Sequence, residues 1–204
     1  MLCRPGFSEN NKGPYLWRLL TNSWRANGKL YCNDKFSICV TNVPQWPVGF
    51  HRWWKPFETL ISFAVINKKM DGKLELKAEV FVGSPFPLNL KEFEMRFKTY
   101  EISTPLEYLT LYLRREKDKV KNFKLLQNPE KVLINGMESA RARFDLVAEI
   151  GELYRAESYV FLHDSYVYMI GYQAPMEAFE AHHLSAMKII ESVRFDSDQE
   201  TKKV

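Results

Sequence analysis

Residues 132–195 read VLINGMESARARFDLVAEIGELYRAESYVFLHDSYVYMIGYQAPMEAFEAHHLSAMKIIESVRF, and this stretch decides the fold. Asn135-Gly136 is a dipeptide that closes a tight hairpin. After it, Ala140, Ala142, Phe144 and Leu146 alternate with Ser139, Arg141, Arg143 and Asp145. A period of two puts the apolar set on one face of a sheet and the charged set on the other. Leu153 to Leu162 and Val167 to Gln173 continue as strands, joined by His163-Asp164-Ser165. They carry Tyr154, Tyr159, Tyr166, Tyr168 and Tyr172, whose rings suit a pleated, half-buried surface. Ala174-Pro175 stops the sheet. Pro175 fits the first turn of a helix, and Glu177 and Glu180 suit its positive end. Phe179, His183, Met187, Ile190 and Arg194 share one helical stripe, flanked by Ala186 and Val193. The helix is expected to run to Phe195 and to lie across the apolar face of the sheet.

Upstream, Thr104-Pro105-Leu106-Glu107 combines a hydroxyl cap, a first-turn proline and a glutamate three residues on, so a helix starts there. Its stripe is Leu106, Leu109, Leu113 and Val120, and it should end near Lys117. Phe123 to Lys131 reads as an extended connector. Phe93, Met95 and Phe97 alternate with charges as a strand, with a helix as the alternative. Leu74, Leu76, Ala78, Val80 and Val82 form the clearest strand, and Leu60 to Asn67, apolar on both faces, reads as a central one. Leu30 to Val43 reads as an opening pair of strands. Leu16, Leu19, Leu20 and Trp24 recur at helical spacing, which predicts a short helix over 14–24. Strands dominate and helices cover them, so the class is α+β: one antiparallel sheet within an α/β/α sandwich. At 204 residues the chain should form a single domain over 30–196, with an N-terminal extension at 1–29 and a polar tail at 197–204.

The formal net charge is +4, and its location matters more than its size. Arg114, Arg115, Lys117, Lys119, Lys121 and Lys124, less Glu116 and Asp118, account for all of it. One reading is a solvated helix end, where cations suit the negative pole. The other is docking to an acidic partner or anionic lipid. No nucleic-acid motif accompanies the cluster. No apolar run approaches the ~20 residues that span a bilayer. A signal-peptide apolar region is also absent, so an exported form would have lost its leader. Cys3 is then a candidate lipid-bearing cysteine. Cys32 and Cys39 are too far apart to bond within one straight strand. A bend at Asn33-Asp34 removes that objection, and two half-buried thiols are the plainer reading.

The segment from Pro44 to Phe57 holds Trp46, Phe50, Trp53, Trp54 and Phe57 among three prolines that prevent regular structure. Either Trp46 and one or two others plug the end of the core, or the rings form an aromatic lip for a partner, a lipid headgroup layer or an apolar ligand. For metal chemistry the sequence offers little. His182 and His183 are adjacent and point about 100° apart on a helix, so they do not share an ion. His183 falls on the apolar stripe and His182 should face solvent. Glu180 and His183 have the i, i+3 spacing of carboxylate-bridged metal sites, in a single copy. No phosphate loop, nucleophile elbow, zinc-protease helix or paired CxxC motif is present.

Several short motifs fall in a telling order. Asp34-Lys35-Phe36-Ser37-Ile38, then Pro44-Gln45-Trp46, precede Thr104-Pro105-Leu106-Glu107-Tyr108. Ile134-Asn135-Gly136, Arg143-Phe144, Tyr166 to Gln173, Ala174-Pro175 with Phe179, and Ser192-Val193-Arg194-Phe195 follow. Over residues 30–196 the chain resembles the PsbP-like superfamily, which includes PsbP of photosystem II, Ran-binding Mog proteins, and DcrB- and LpqN-type lipoproteins. The resemblance implies an α/β/α sandwich and a binding or assembly role without catalysis. It carries no metal, cofactor or catalytic residue onto a position here. The Trp-rich segment is more aromatic than the pattern, and Phe81 to Ile102 reads as an inserted hairpin.

The expected function is a non-enzymatic module that engages a protein partner, at a membrane surface as a peripheral or lipoprotein-type component. Its expected contacts are Trp46, Phe50, Arg52, Trp53, Trp54 and Phe57, with Arg114, Arg115, Lys117, Lys119 and Lys121. Export or membrane association is favoured over the cytoplasm. The alternative is a carrier or sensor of an apolar small molecule between sheet and helix. A hydrolase comes third.

Overall fold

The computed structural model describes residues 24–27, 29–33, 36–43, 46–49, 59–68, 74–83, 85–88, 102–118, 120, 122–147 and 151–195. Two antiparallel sheets are present where one was expected. The small one joins β1 (Trp24–Asn27), β2 (Leu30–Asn33), β3 (Ile38–Thr41) and β12 (Arg194–Phe195) in that order. The large one runs β4 (Val48–Gly49), β5 (Thr59–Lys68), β6 (Leu74–Gly83), β11 (Tyr166–Pro175), β10 (Leu153–His163), β9 (Met137–Val147) and β8 (Lys124–Ile134). A short β7 (Phe86–Pro87) also pairs with β11. The chain leaves the middle of the large sheet after β7 and crosses one face as helix α1 (Pro105–Lys117). It enters the far edge at β8 and meanders back to β11 beside β6.

The hairpins follow their turn residues. Asn135 and Gly136 both have positive φ, as do Asp164 and Ser165 between β10 and β11, the geometry of two-residue turns that match strand twist. Helix α1 starts as its sequence predicts. Thr104 Oγ1 accepts from the Glu107 N–H at 3.2 Å, and Glu107 accepts in return from the Thr104 N–H at 3.1 Å. Phe81 lies directly opposite Gly171, and a Cβ on that glycine would meet the phenyl ring at 2.3 Å. The missing side chain there is the space the ring fills.

The two faces of the large sheet are covered differently. Ala140, Ala142, Phe144, Leu146, Tyr154, Ala156 and Val160 pack under Tyr108, Leu109, Tyr112 and Leu113 of α1. The apolar set of β9 therefore lies beneath the middle helix, and not beneath the C-terminal one as expected. The C-terminal helix α2 (Phe179–Ile190) and the small sheet cover the opposite face, over Ile61, Phe63, Val80, Val82, Ile170 and Tyr172. Phe179, Ile189 and Ile190 are fully buried there, each worth roughly 2 kcal/mol. On the α1 side Glu79 is buried beside Gln173, whose Nε2 donates to it at 2.9 Å. Burial pushes this carboxyl above its ordinary value, although the bonds from Gln173 and Ser62 oppose the shift.

Other expectations need correction. Phe123 to Lys131 is no connector: Lys124 begins an eleven-residue edge strand. Two irregularities, one spanning Pro129, hid its period of two. Pro175 ends β11, and α2 begins at Phe179 after Ala178, which makes no side-chain cap bond. The helix stops at Ile190. Arg194 and Phe195 instead pair with Cys39 and Ile38, because Ser192 turns the chain: its hydroxyl donates to Ile189 O at 2.6 Å and accepts from the Thr41 N–H at 2.8 Å. Leu60 to Asn67 belongs to β5, beyond which, among the described residues, lies only the two-residue β4. Trp24 opens β1, while the rest of the predicted 14–24 helix, the Phe93 to Phe97 strand and Cys3 lie outside the described residues. Among the described residues no helix is long and apolar enough to cross a membrane.

Candidate functional site

Among the described residues, the densest group of ionisable side chains lies where α2 meets β9 and β10. The alternation that hides Ala142 and Phe144 under α1 turns Arg141, Arg143 and Asp145 toward α2, and Arg155, Glu157 and Tyr159 join them from β10. Register does the pairing: Arg143 lies opposite Glu157, and Arg155 opposite Asp145. Glu157 is fully buried and is the hub. Arg143 Nη2 donates to its Oε2 at 3.0 Å, Tyr159 Oη donates to its Oε1 at 2.8 Å, and His183 Nε2 lies 2.8 Å from Oε2. Arg141 Nη1 is 3.5 Å from Oε1 and also pairs with Glu130 of β8. The Arg143 and Arg155 guanidiniums sit 5.1 and 5.8 Å from the centroid of the Phe179 ring, and Arg155 Nε donates to Asp145 at 2.9 Å.

Burial alone would raise the Glu157 carboxyl. The Tyr159 hydrogen bond, the Arg143 charge and the His183 contact outweigh it and hold the group below its ordinary value. The carboxylate is thus ionised and its oxygens are taken up by donors. Burial and the Glu157 charge push the Tyr159 hydroxyl upward. Burial, reinforced by the charge of Asp164, raises Tyr168 to about 12. This geometry ties four elements together, α2, β8, β9 and β10, and leaves its central base occupied.

The sequence-predicted contacts are dispersed. Trp46 is 1% exposed, packed beside Tyr172 and His182 with ring centroids 6.4 and 6.2 Å away. It plugs the core, and its ring is not offered at the surface. Phe50, Arg52, Trp53, Trp54 and Phe57 lie outside the described residues, as do Lys119 and Lys121. Arg114 and Lys117 are exposed and Arg115 half-buried at the end of α1, on the other side of the large sheet from Trp46. His182 is half-buried against Trp46 instead of facing solvent. His183 is at the core edge as expected, stacked on Phe179 at 5.4 Å, but its outer nitrogen serves Glu157. Glu180 lies 3.7 Å from Arg143, so Glu180 and His183 are engaged with other partners. Among the described residues no three His, Cys, Asp or Glu side chains are grouped as metal ligands.

The cysteine reading is overturned. Cys32 and Cys39 lie directly opposite one another on β2 and β3, with Cα atoms 4.0 Å apart, and form a disulfide. Antiparallel pairing of β2 with β3 brings together what a straight strand would separate.

No family model and no curated protein matches the chain. Solved structures do. LpqN, involved in cell envelope biogenesis of Mycobacterium tuberculosis, superposes with a TM-score of 0.52 at 11% identity, over 76% of this chain and 81% of that one. Cyanobacterial PsbP (CyanoP) from Synechocystis superposes with a TM-score of 0.50 at 10% identity, over 84% of this chain and 97% of that one. The Ran-binding protein Mog1p of Saccharomyces cerevisiae is more distant, with a TM-score of 0.44 at 9% identity over 84% and 97%. At such identities the likeness is one of fold: an α/β/α sandwich of the PsbP-like kind.

Proposed function

We propose that this chain, which has the PsbP-like fold, is a binding module that works by contact with a protein partner and not by reaction. The observation that carries the reading is the anchoring of the aromatic segment. Trp46 is buried, the Ala64 N–H donates to Pro47 O at 3.0 Å, and Val48 and Gly49 pair with Phe63 and Ser62. Both ends of the 50–58 connection are therefore held at the edge of the large sheet. Because Trp46 supplies the core plug, Phe50, Arg52, Trp53, Trp54 and Phe57 are not required for that task and are the proposed partner contacts. The self-paired Glu157 network supports the same reading, since a base engaged by its own neighbours is not poised for proton transfer. An apolar ligand between sheet and α2 gains no support, because Trp46, Tyr172, Phe179 and Ile190 occupy that interface.

Buried tryptophans at an interface typically contribute about 2 kcal/mol or more each. The Trp53→Ala/Trp54→Ala double variant should therefore lose its partner in co-purification while keeping the wild-type melting temperature. Capture of the same partner with the same affinity would remove this reading.

The proposed setting is an oxidising compartment, at or beyond a membrane. The Cys32–Cys39 disulfide supports it, since such bonds persist outside the reducing cytosol. Closing so short a loop is worth about 2.5 kcal/mol in the chain-entropy account. Protein taken from its native source under alkylating conditions should carry no label on Cys32 or Cys39 until a reductant is added. Label on both beforehand would place it in a reducing compartment.

A further inference from the structure

We propose that the corner joining α1 to β8 is a docking surface for an anionic lipid bilayer. The inference rests on reading the chain as a contact module and adds what one of its surfaces touches. Helix α1 ends at Lys117. The Val120 N–H then donates to Glu116 O at 2.8 Å and the Phe123 N–H to Val120 O at 3.3 Å, which folds the chain back so that Lys124 opens β8. Phe123 stacks on Phe144 at 5.1 Å, and Leu125 lies opposite Phe144. Arg114, Lys117, Lys124, Leu125 and Leu126 thereby belong to one corner of the molecule.

Two properties, found together here, support the proposal. Arg114, Lys117 and Lys124 are exposed and, among the described residues, have no ion pair, whereas Arg141, Arg143 and Arg155 all do. Of the nearby acids, Asp118 is exposed, Glu116 is buried, and Asp145, opposite Lys124 in the ladder, is buried and bonded to Arg155, so Arg114, Lys117 and Lys124 outnumber the exposed carboxylates and the corner is positive. Beside these cations Leu125 and Leu126 are each 37% exposed. Leu126 is the residue the ladder skips between the Leu125–Phe144 and Gln127–Arg143 pairs, so it is released from strand pairing. Adjacent leucines bordered by exposed cations match a headgroup layer, where apolar side chains enter the acyl boundary and cations meet phosphate. Leucine is under-represented at protein hot spots, so the Leu125–Leu126 pair suits a lipid surface better than an acidic protein.

The test is co-sedimentation of the full chain with vesicles of phosphatidylcholine, alone or mixed with phosphatidylserine. Binding is expected to the mixed vesicles only, and should fall steeply with added salt. Each cation removed should weaken partition about fivefold, so Arg114→Gln/Lys117→Gln should lose about twenty-fivefold. Lys124→Gln, an exposed change that leaves the core intact, should lose about fivefold by itself. Leu125→Ser/Leu126→Ser, checked for folding by circular dichroism, should weaken binding while leaving its salt dependence. No binding to mixed vesicles, equal binding to neutral ones, or partition indifferent to the three cations would overturn the proposal. Any of these would leave partner capture through Trp53 and Trp54 untouched. Lipid binding without that capture would instead sink the protein-partner reading.

Discussion

Trp46→Ala is expected to destabilise the chain by about 4 kcal/mol, the cost of emptying a large aromatic site in a core that relaxes only in part. The ring is 1% exposed and packs against Tyr172 and His182, between β11 and α2. In a protein of this size the loss corresponds to a melting point lower by about 10 °C. Trp46→Phe separates volume from polarity. The indole N–H is buried and meets no acceptor among the described residues, so deleting it forfeits no hydrogen bond to them. The phenyl ring keeps most of the contact, and the cost should fall to about 1.5 kcal/mol. Thermal melts of the two variants decide the matter. An unchanged melting point in Trp46→Ala would return this residue to the surface aromatics and remove the anchor on which the proposed partner contact depends.

Glu157→Gln should cost about 3 kcal/mol at neutral pH, because it leaves two guanidiniums and an imidazole facing a neutral amide in a buried place. Part of the penalty falls on Arg143, whose Nε is already buried and meets no acceptor among the described residues. In a double-mutant cycle, Arg143→Ala should cost clearly less in the Glu157→Gln background than in wild type. The pH dependence has a definite sign. The folded carboxyl lies below its ordinary value of 4.5. Its stabilisation is therefore complete above that value and is lost as pH falls through the lower folded one. Denaturant titrations should find the wild-type advantage over Glu157→Gln at pH 7 shrinking progressively below the ordinary carboxylate range. An equal gap at both ends of the titration would mean that Glu157 acts by shape and not by charge.

The Arg141–Arg143 alternation shows where sequence reading succeeds and where it stops. Its period of two identified a strand and sorted its faces correctly. The same alternation predicts the C-terminal helix over the apolar face, because an apolar helix stripe normally covers apolar residues. Only pairing with β10 sets Arg143 opposite Glu157 and Arg155 opposite Asp145, which lets the charged side lie against a helix. Cys32 and Cys39 illustrate the same limit, since seven residues along a strand separate them and one register brings them together. Strand β8 was missed for a local reason: its bulges break the alternation that marked β6 and β9.

From the sequence alone came the features that local chemistry controls. They are the capped start of α1 at Thr104, the Asn135-Gly136 turn, the strands with unbroken alternation, and the α+β sandwich their order implies. The tertiary structure decided which helix covers which face, that Arg194 and Phe195 leave the helix for a second sheet, that Trp46 is interior, and that Glu157 gathers its cations. Backbone preferences and periodicity act over a few residues and are written into neighbours along the chain. Register and layer packing join residues as far apart as Thr41 and Ser192, and come into being only when the sheet closes.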